Sequence, residues 1–240
     1  MNLTASLLAG CTISAFAESP PAPAPPPKWE TAATLGFSLT SGNSDTMLFT
    51  GMIKTQKKGP QDEWGFGADA AYGENDSKVN NNNVHGYGQY NRLLSERWFL
   101  YGRADAMHDE IADVNYRVSL SPGVGYYFIK NKTTTLAGEL GPGVVIEERG
   151  GIDSTYATLR VAGRFEHKFS DHARMWAKAE YLPEISDFGN YLLNTELGVG
   201  AALSPKLELT LILQDNYASE PASTRKANDL KLITGITYKF

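Results

Sequence analysis

The sequence has one cysteine, Cys11, and none after it. A single thiol excludes a disulfide scaffold and a cysteine-built metal centre. There is no long hydrophobic run either. The most apolar early stretch, residues 5–17, carries Thr and Ser and falls short of the roughly 20 apolar residues a spanning helix needs. With a mean hydropathy of -0.31, a helical membrane protein is excluded. A transmembrane β-barrel escapes that test, because half of each strand can be polar. Basic patches are missing and the formal net charge is -5, so no nucleic-acid partner is expected. From Trp29 onward there is no helical period to follow. The nucleophile elbow G-x-S-x-G is absent, and the only histidines are His85, His108, His167 and His172.

What is present begins with a leader. Residues 1–17 read as a signal peptide ending in Ala15-Phe16-Ala17, a small-x-small cleavage pattern. The run "LAGC" at Leu8–Cys11 offers the alternative of lipidation at Cys11. The few residues before Leu8 favour cleavage after Ala17, which removes the thiol from the mature chain. Residues 18–28 contain "SPPAPAPPPK" and are expected to form an extended, semi-rigid periplasmic leader. Residues 29–240 form the remaining unit.

That unit alternates at period two, the signature of strands. Trp29, Ala33, Leu35 and Phe37 share one face of the first segment; Glu30, Thr34 and Gly36 share the other. The segment from Tyr116 to Phe128 repeats the pattern, and Leu207, Leu209, Leu211 and Leu213 oppose Glu208, Thr210, Ile212 and Gln214. Turn signals of two kinds alternate strictly. Tight ones such as "LSER" and "KNKT" interleave with longer or more acidic ones such as "GENDSKVNNN", "EERGGID" and "ASEPASTRKA". Short turns on one rim and longer loops on the other describe an all-β, antiparallel, up-and-down transmembrane β-barrel of about 12 strands. The apolar face meets lipid. Aromatic residues recur near the tight turns (Trp64 and Phe66, Trp98 and Phe99, Tyr126 and Phe128, Tyr238 and Phe240), where an interfacial girdle is expected.

"LGFSLTSGNSDT", the Tyr-Gly-Gln-Tyr run at Tyr87 and "RVSLSPGVGYYF" resemble the bacterial DUF481 family, over most of Trp29 to Phe240. The family includes YdiY-like salt-induced outer-membrane proteins. The resemblance implies a Gram-negative outer-membrane barrel. It brings no catalytic or ligand residues with it.

Parity assigns an inward face that includes Glu30, Asp69, Arg103, Asp105, Arg117, Glu139, Arg160, Arg164, Glu166, Lys178, Glu180, Glu196, Glu208 and Lys231. Both signs are interleaved. Single-sign rings would argue for an ion-selective pore. Mixed signs argue either for cross-strand ion pairs that fill a narrow lumen or for a polar channel without strong selectivity. Many inward glycines leave room for long Arg and Glu side chains. The long-loop rim is acidic, through residues such as Glu74, Asp76, Asp109, Glu110, Glu147 and Glu148. Loosely held divalent cations beside lipopolysaccharide are one use for it, through hard oxygen ligands. No dedicated metal site or cofactor is expected: His167 and His172 flank a turn with Asp171, short of a zinc ligand set. The function expected is non-enzymatic, a small-solute pore or a structural envelope barrel under osmotic or salt stress. An outer-membrane lipid hydrolase using His85 and a soluble periplasmic ligand-binding barrel are the alternatives.

The chain closes on "LITGITYKF". Leu232, Ile236, Tyr238 and Phe240 face lipid; Gly235, Thr237 and Lys239 face inward. This strand is expected to close the barrel against the first. Gly235, Tyr238 and Phe240 resemble the terminal signature read by the barrel-assembly machinery.

Overall fold

A computed structural model describes residues 27–40, 46–76, 78–223 and 225–240. The expected signal peptide, nearly all of the Pro-rich leader and Cys11 lie outside the described residues. So does the turn at 41–45.

Alternation produces twelve strands: β1 (Trp29–Thr40), β2 (Thr46–Lys58), β3 (Asp62–Asn75), β4 (Lys78–Leu93), β5 (Trp98–Asp109), β6 (Val114–Lys130), β7 (Thr134–Arg149), β8 (Ile152–Lys168), β9 (Ala173–Pro183), β10 (Tyr191–Ala202), β11 (Leu207–Ala218) and β12 (Asn228–Lys239). Each pairs antiparallel with the next, and β1 pairs with β12, so the sheet closes without a free edge. The closing seam is short. It runs from Ala32 opposite Lys239 to Gly36 opposite Gly235, whereas β1 and β2 pair from Trp29 opposite Lys57 to Thr40 opposite Thr46. The Phe240 N–H adds one bond to the Thr31 carbonyl, at 3.0 Å.

The two faces differ as the alternation requires. On β11, Leu209, Leu211 and Leu213 are exposed while Glu208, Thr210 and Ile212 are buried. The same holds around the wall: Leu35, Phe37, Phe49, Ile53, Leu100, Leu120, Leu140, Val161, Leu197, Val199, Leu232 and Ile236 all stand open. A water-soluble monomer does not carry so continuous an apolar surface. This wall is the hydrocarbon-facing band of a membrane β-barrel.

Two aromatic belts bound it. Near the tight turns, Trp64 lies 4.5 Å from Tyr90, Trp98 lies 4.8 Å from Tyr126, and Tyr238 lies 4.9 Å from Phe240, ring to ring. The opposite belt escaped the sequence reading. There Tyr191 sits between Tyr181, tilted at 5.3 Å, and Tyr217, stacked at 5.6 Å, and the Tyr116 hydroxyl donates to Asp153 at 2.8 Å. Tyr116 and Tyr126 sit ten residues apart on β6. That is ~33 Å along a strand, or ~25 Å across the membrane at a tilt near 40°, matching the height of an apolar barrel band.

Two expectations need correction. Phe99 does not join the girdle. Trp98 points outward, so Phe99 points inward, where it is fully buried beside Tyr101, Tyr127 and Ala137. The acidic segments "GENDSKVNNN" and "EERGGID" are not long loops either; they are mostly strand. β7 and β8 are joined by Gly150 and Gly151 alone, at φ of 59° and 73°. Paired left-handed residues make the tight hairpin turn whose twist matches the strands. Glu147 is therefore not a rim acid: it is inside the barrel with no exposed surface.

Candidate functional site

A closed sheet gives its inward side chains one another as neighbours, and their hydrogen bonds reveal how far they reach. Lys54 on β2 lies 3.3 Å from Glu196 on β10. Three strands separate those two in the barrel wall, so the contact crosses the interior. Three more contacts do the same: Gln89 on β4 to Glu139 on β7 at 2.8 Å, Arg103 on β5 to Glu180 on β9 at 3.7 Å, and Tyr127 on β6 to Glu63 on β3 at 2.5 Å.

The waist is a charged belt. Arg103 binds Asp105 through two nitrogens, at 2.8 and 2.5 Å, and reaches Gln89 at 3.2 Å. Arg160 donates Nε to Glu180 at 2.6 Å and Nη1 to Glu139 at 2.8 Å. His85 stands between Asp69 at 3.1 Å and Asp105 at 3.4 Å. Charge-assisted pairs of this geometry are the stronger class of hydrogen bond, and each ion here has an opposite charge within reach.

The side nearer the seam is dry. Met52, Trp176, Ile212 and Ile233 form an inward apolar cluster. Beside it Thr237 bridges Thr34 and Thr210, each at 2.7 Å. Inward glycines make room for these rings, rather than chiefly for Arg and Glu. A Cβ on Gly198 would fall 2.1 Å from the Trp176 ring, and one on Gly125 would fall 2.1 Å from Phe99. The charged groups of the waist are thus gathered on the β3–β9 side.

The remaining inward residues occupy the two ends. Near the tight turns, Glu30 accepts from Gln56 at 2.9 Å, Arg174 binds Glu208 at 2.7 Å and Glu166 at 3.8 Å, and Arg164 donates to Tyr127 Oη at 2.6 Å. Lys178 binds Glu196 at 2.9 Å. Toward the loop rim, Arg117 binds Glu147 at 2.5 Å, and Lys231 binds Asp229 at 3.2 Å. Gly235 lies inside the seam, where a Cβ would meet the Leu35 carbonyl oxygen at 2.5 Å. Tyr238, opposite Ala33 in the seam, and Phe240 lie on the exposed outer face. Sequence reasoning passed over Lys54, Gln89, Tyr101 and Trp176 as members of this interior, although the same parity marks them.

No nucleophilic dyad forms around His85. Among the described residues its hydrogen-bond partners are two carboxylates, and none is a hydroxyl. Nor do three or more His, Cys, Asp or Glu side chains gather as a metal site, again among the described residues.

A family model described as "Protein of unknown function, DUF481" matches residues 33–240. The chain belongs to the DUF481 family. No curated protein matches the sequence. Solved structures do match in shape. The DUF481 chain is similar to the NanC porin, with 9% identity and a TM-score of 0.54 over 89% of this chain and 100% of that one. It is also similar to an outer membrane channel from Pseudomonas putida F1, with 10% identity and a TM-score of 0.50 over 90% of this chain and 97% of that one. At such identities the likeness is one of fold.

Proposed function

We propose that this chain is a non-enzymatic outer-membrane barrel that passes small hydrophilic solutes through a narrow, hydrated lumen. The observation that carries the reading is the water access of inward charges. Lys54, His85, Arg164 and Lys178 are all paired, face the interior at different depths, and keep 32–45% of their side chains open to water. A structural plug would bury them. The waist of Arg103, Asp105, Arg160 and Glu139 limits the bore to small solutes. In this reading the tight turns face the periplasm and the longer loops face outward beside lipopolysaccharide. Gly235, Tyr238 and Phe240 serve the assembly machinery that seats the barrel.

Planar-bilayer recording tests it. Barrel that shifts mobility on boiling, and is therefore folded, should give discrete single-channel steps of low conductance. Silent bilayers with the same folded protein would refute the pore. They would leave the second reading, a barrel whose cross-lumen ion pairs stiffen the envelope under osmotic or salt stress.

A further inference from the structure

The inward charges balance in sign along the sequence but not in exposure. In the half of the barrel nearer the tight turns, three glutamates each carry two cations. Glu196 holds Lys54 and Lys178 at 3.3 and 2.9 Å on the same oxygen. Glu63 holds Lys130 at 3.1 Å and Arg164 at 3.9 Å. Glu208 holds Arg174 and Lys239, each at 2.7 Å. The Glu196 and Glu63 clusters therefore each keep one positive charge in excess, while in the third Arg174 also meets Glu166 at 3.8 Å, which balances it. The six bases expose 29–45% of their side chains to water, while the three glutamates expose only 3–13%. The carboxylates lie against the wall and the cations cover them. At the loop end Glu147 likewise carries Arg117 and Arg149, but those bases expose only 13–15% of their side chains, and Lys231 is buried with its partner Asp229 open.

We propose that the tight-turn half of the lumen is an anion-binding vestibule, in which six bases fixed in pairs over buried glutamates take small multivalent oxyanions or carboxylates. The physical case rests on three points. Ammonium and guanidinium groups donate several hydrogen bonds, and Lys178 is left with donors free on its open side after its one bond to Glu196. The glutamates hold the bases in place, so ordering them costs little when an anion arrives. Walls of low dielectric concentrate a single-sign potential in a cleft, and rings of Lys and Arg are the usual construction of anion pores. Glu30 and Glu166 are the inward acids of this half that stand open. They temper the field without reversing it.

The inference rests on the pore reading for its effect on conduction, but binding can be measured apart from it. Inorganic sulfate titrated into the folded barrel should release or absorb heat that saturates. Lys178→Gln, which leaves Glu196 paired with Lys54, Trp176 and Gln214, should weaken sulfate about tenfold, the effect of one unit charge some 6 Å from a dianion in water. Glu166→Gln should tighten it by a similar factor. In bilayers under a KCl gradient, the reversal potential should show chloride preference, and sulfate added on the tight-turn side should block more strongly than from the loop side. No saturable heat with a heat-modifiable barrel overturns the vestibule. So does conduction with a zero or cation-selective reversal potential. Sulfate binding in a barrel that never conducts upholds the vestibule and refutes the pore instead.

Discussion

Replacing Arg160 with alanine removes the bridge that joins three strands at the waist. Its guanidinium donates to Glu180 at 2.6 Å and Glu139 at 2.8 Å and lies 5.1 Å from the centre of the Tyr101 ring. Both Arg160 and Glu139 are nearly inaccessible, at 5% and 6% side-chain exposure. Each charged hydrogen bond contributes ~1.5–3 kcal/mol, and removing one partner of a buried pair costs ~3–5 kcal/mol. The loss is moderated here, since Glu139 keeps Gln89 at 2.8 Å, and Glu180 keeps Asn194 at 3.4 Å and Arg103 at 3.7 Å. We therefore expect Arg160→Ala to lose ~3 kcal/mol, at the low end of that range. The assay is urea unfolding of barrel folded in lipid vesicles, followed by tryptophan fluorescence. Glu139→Gln should recover part of the loss in the Arg160→Ala background, because a neutral amide no longer needs the cation. Contacting residues are expected to couple by more than ~0.5 kcal/mol. A loss below ~1 kcal/mol, or strictly additive single effects, would refute the view that the belt ties neighbouring strands together at the waist.

Other perturbations probe different levels of the structure. Gly198→Ala places a methyl 2.1 Å from the Trp176 ring; overpacking of that kind should cost ~1–3 kcal/mol, read as a lowered urea midpoint together with altered tryptophan emission. Leu211→Arg puts a charge on the exposed lipid face of β11. It should cost ~2–4 kcal/mol near the bilayer midplane, whereas the same change in detergent of short chain should cost less. Deleting Phe240 is expected to reduce the amount of barrel in the outer membrane before it alters any conductance per channel; quantitative fractionation checks this, and normal levels would count against an assembly role.

The period-two pattern made the fold legible because a closed membrane barrel obeys one rule throughout its wall. Leucines at 209, 211 and 213 needed no tertiary information to be placed outside. What parity cannot carry is depth and termination. Glu147 alternates correctly as an inward residue, yet the acidic run around it resembles a loop; only the backbone twist at Gly150 and Gly151 decides that the strands continue past it. Phe99 follows the same logic, since an aromatic near a turn looks like a girdle residue until its odd position beside Trp98 is counted. The vestibule was the least legible part. Lys178 and Glu196 enter a sequence count as one plus and one minus, and their unequal exposure arises from who covers whom, a property of side-chain length and of contacts made across the lumen. The belt of tyrosines at the loop end was hidden for a related reason: Tyr181, Tyr191 and Tyr217 are scattered in sequence and meet only through strand register.

The short seam has a consequence for how the barrel comes to exist. Eleven of the twelve ladders join strands that follow one another in the chain, so they can form as successive hairpins with little chain to organise. The twelfth brings together residues such as Thr34 and Thr237, 203 positions apart. Closing a loop of that size costs ~5 kcal/mol by its logarithmic dependence on length, and contacts so distant in sequence slow a folding reaction. The seam offsets this with the pairs between Ala32 and Gly36 and their partners, the Thr34–Thr237 hydroxyl bond and the Phe240 N–H bond to Thr31. Closure is then the late, slow event, and every molecule that has zipped its hairpins but not yet joined its ends displays two unpaired edges at once. That open state, with its two templates for pairing to another chain, is where this barrel is most exposed to aggregation.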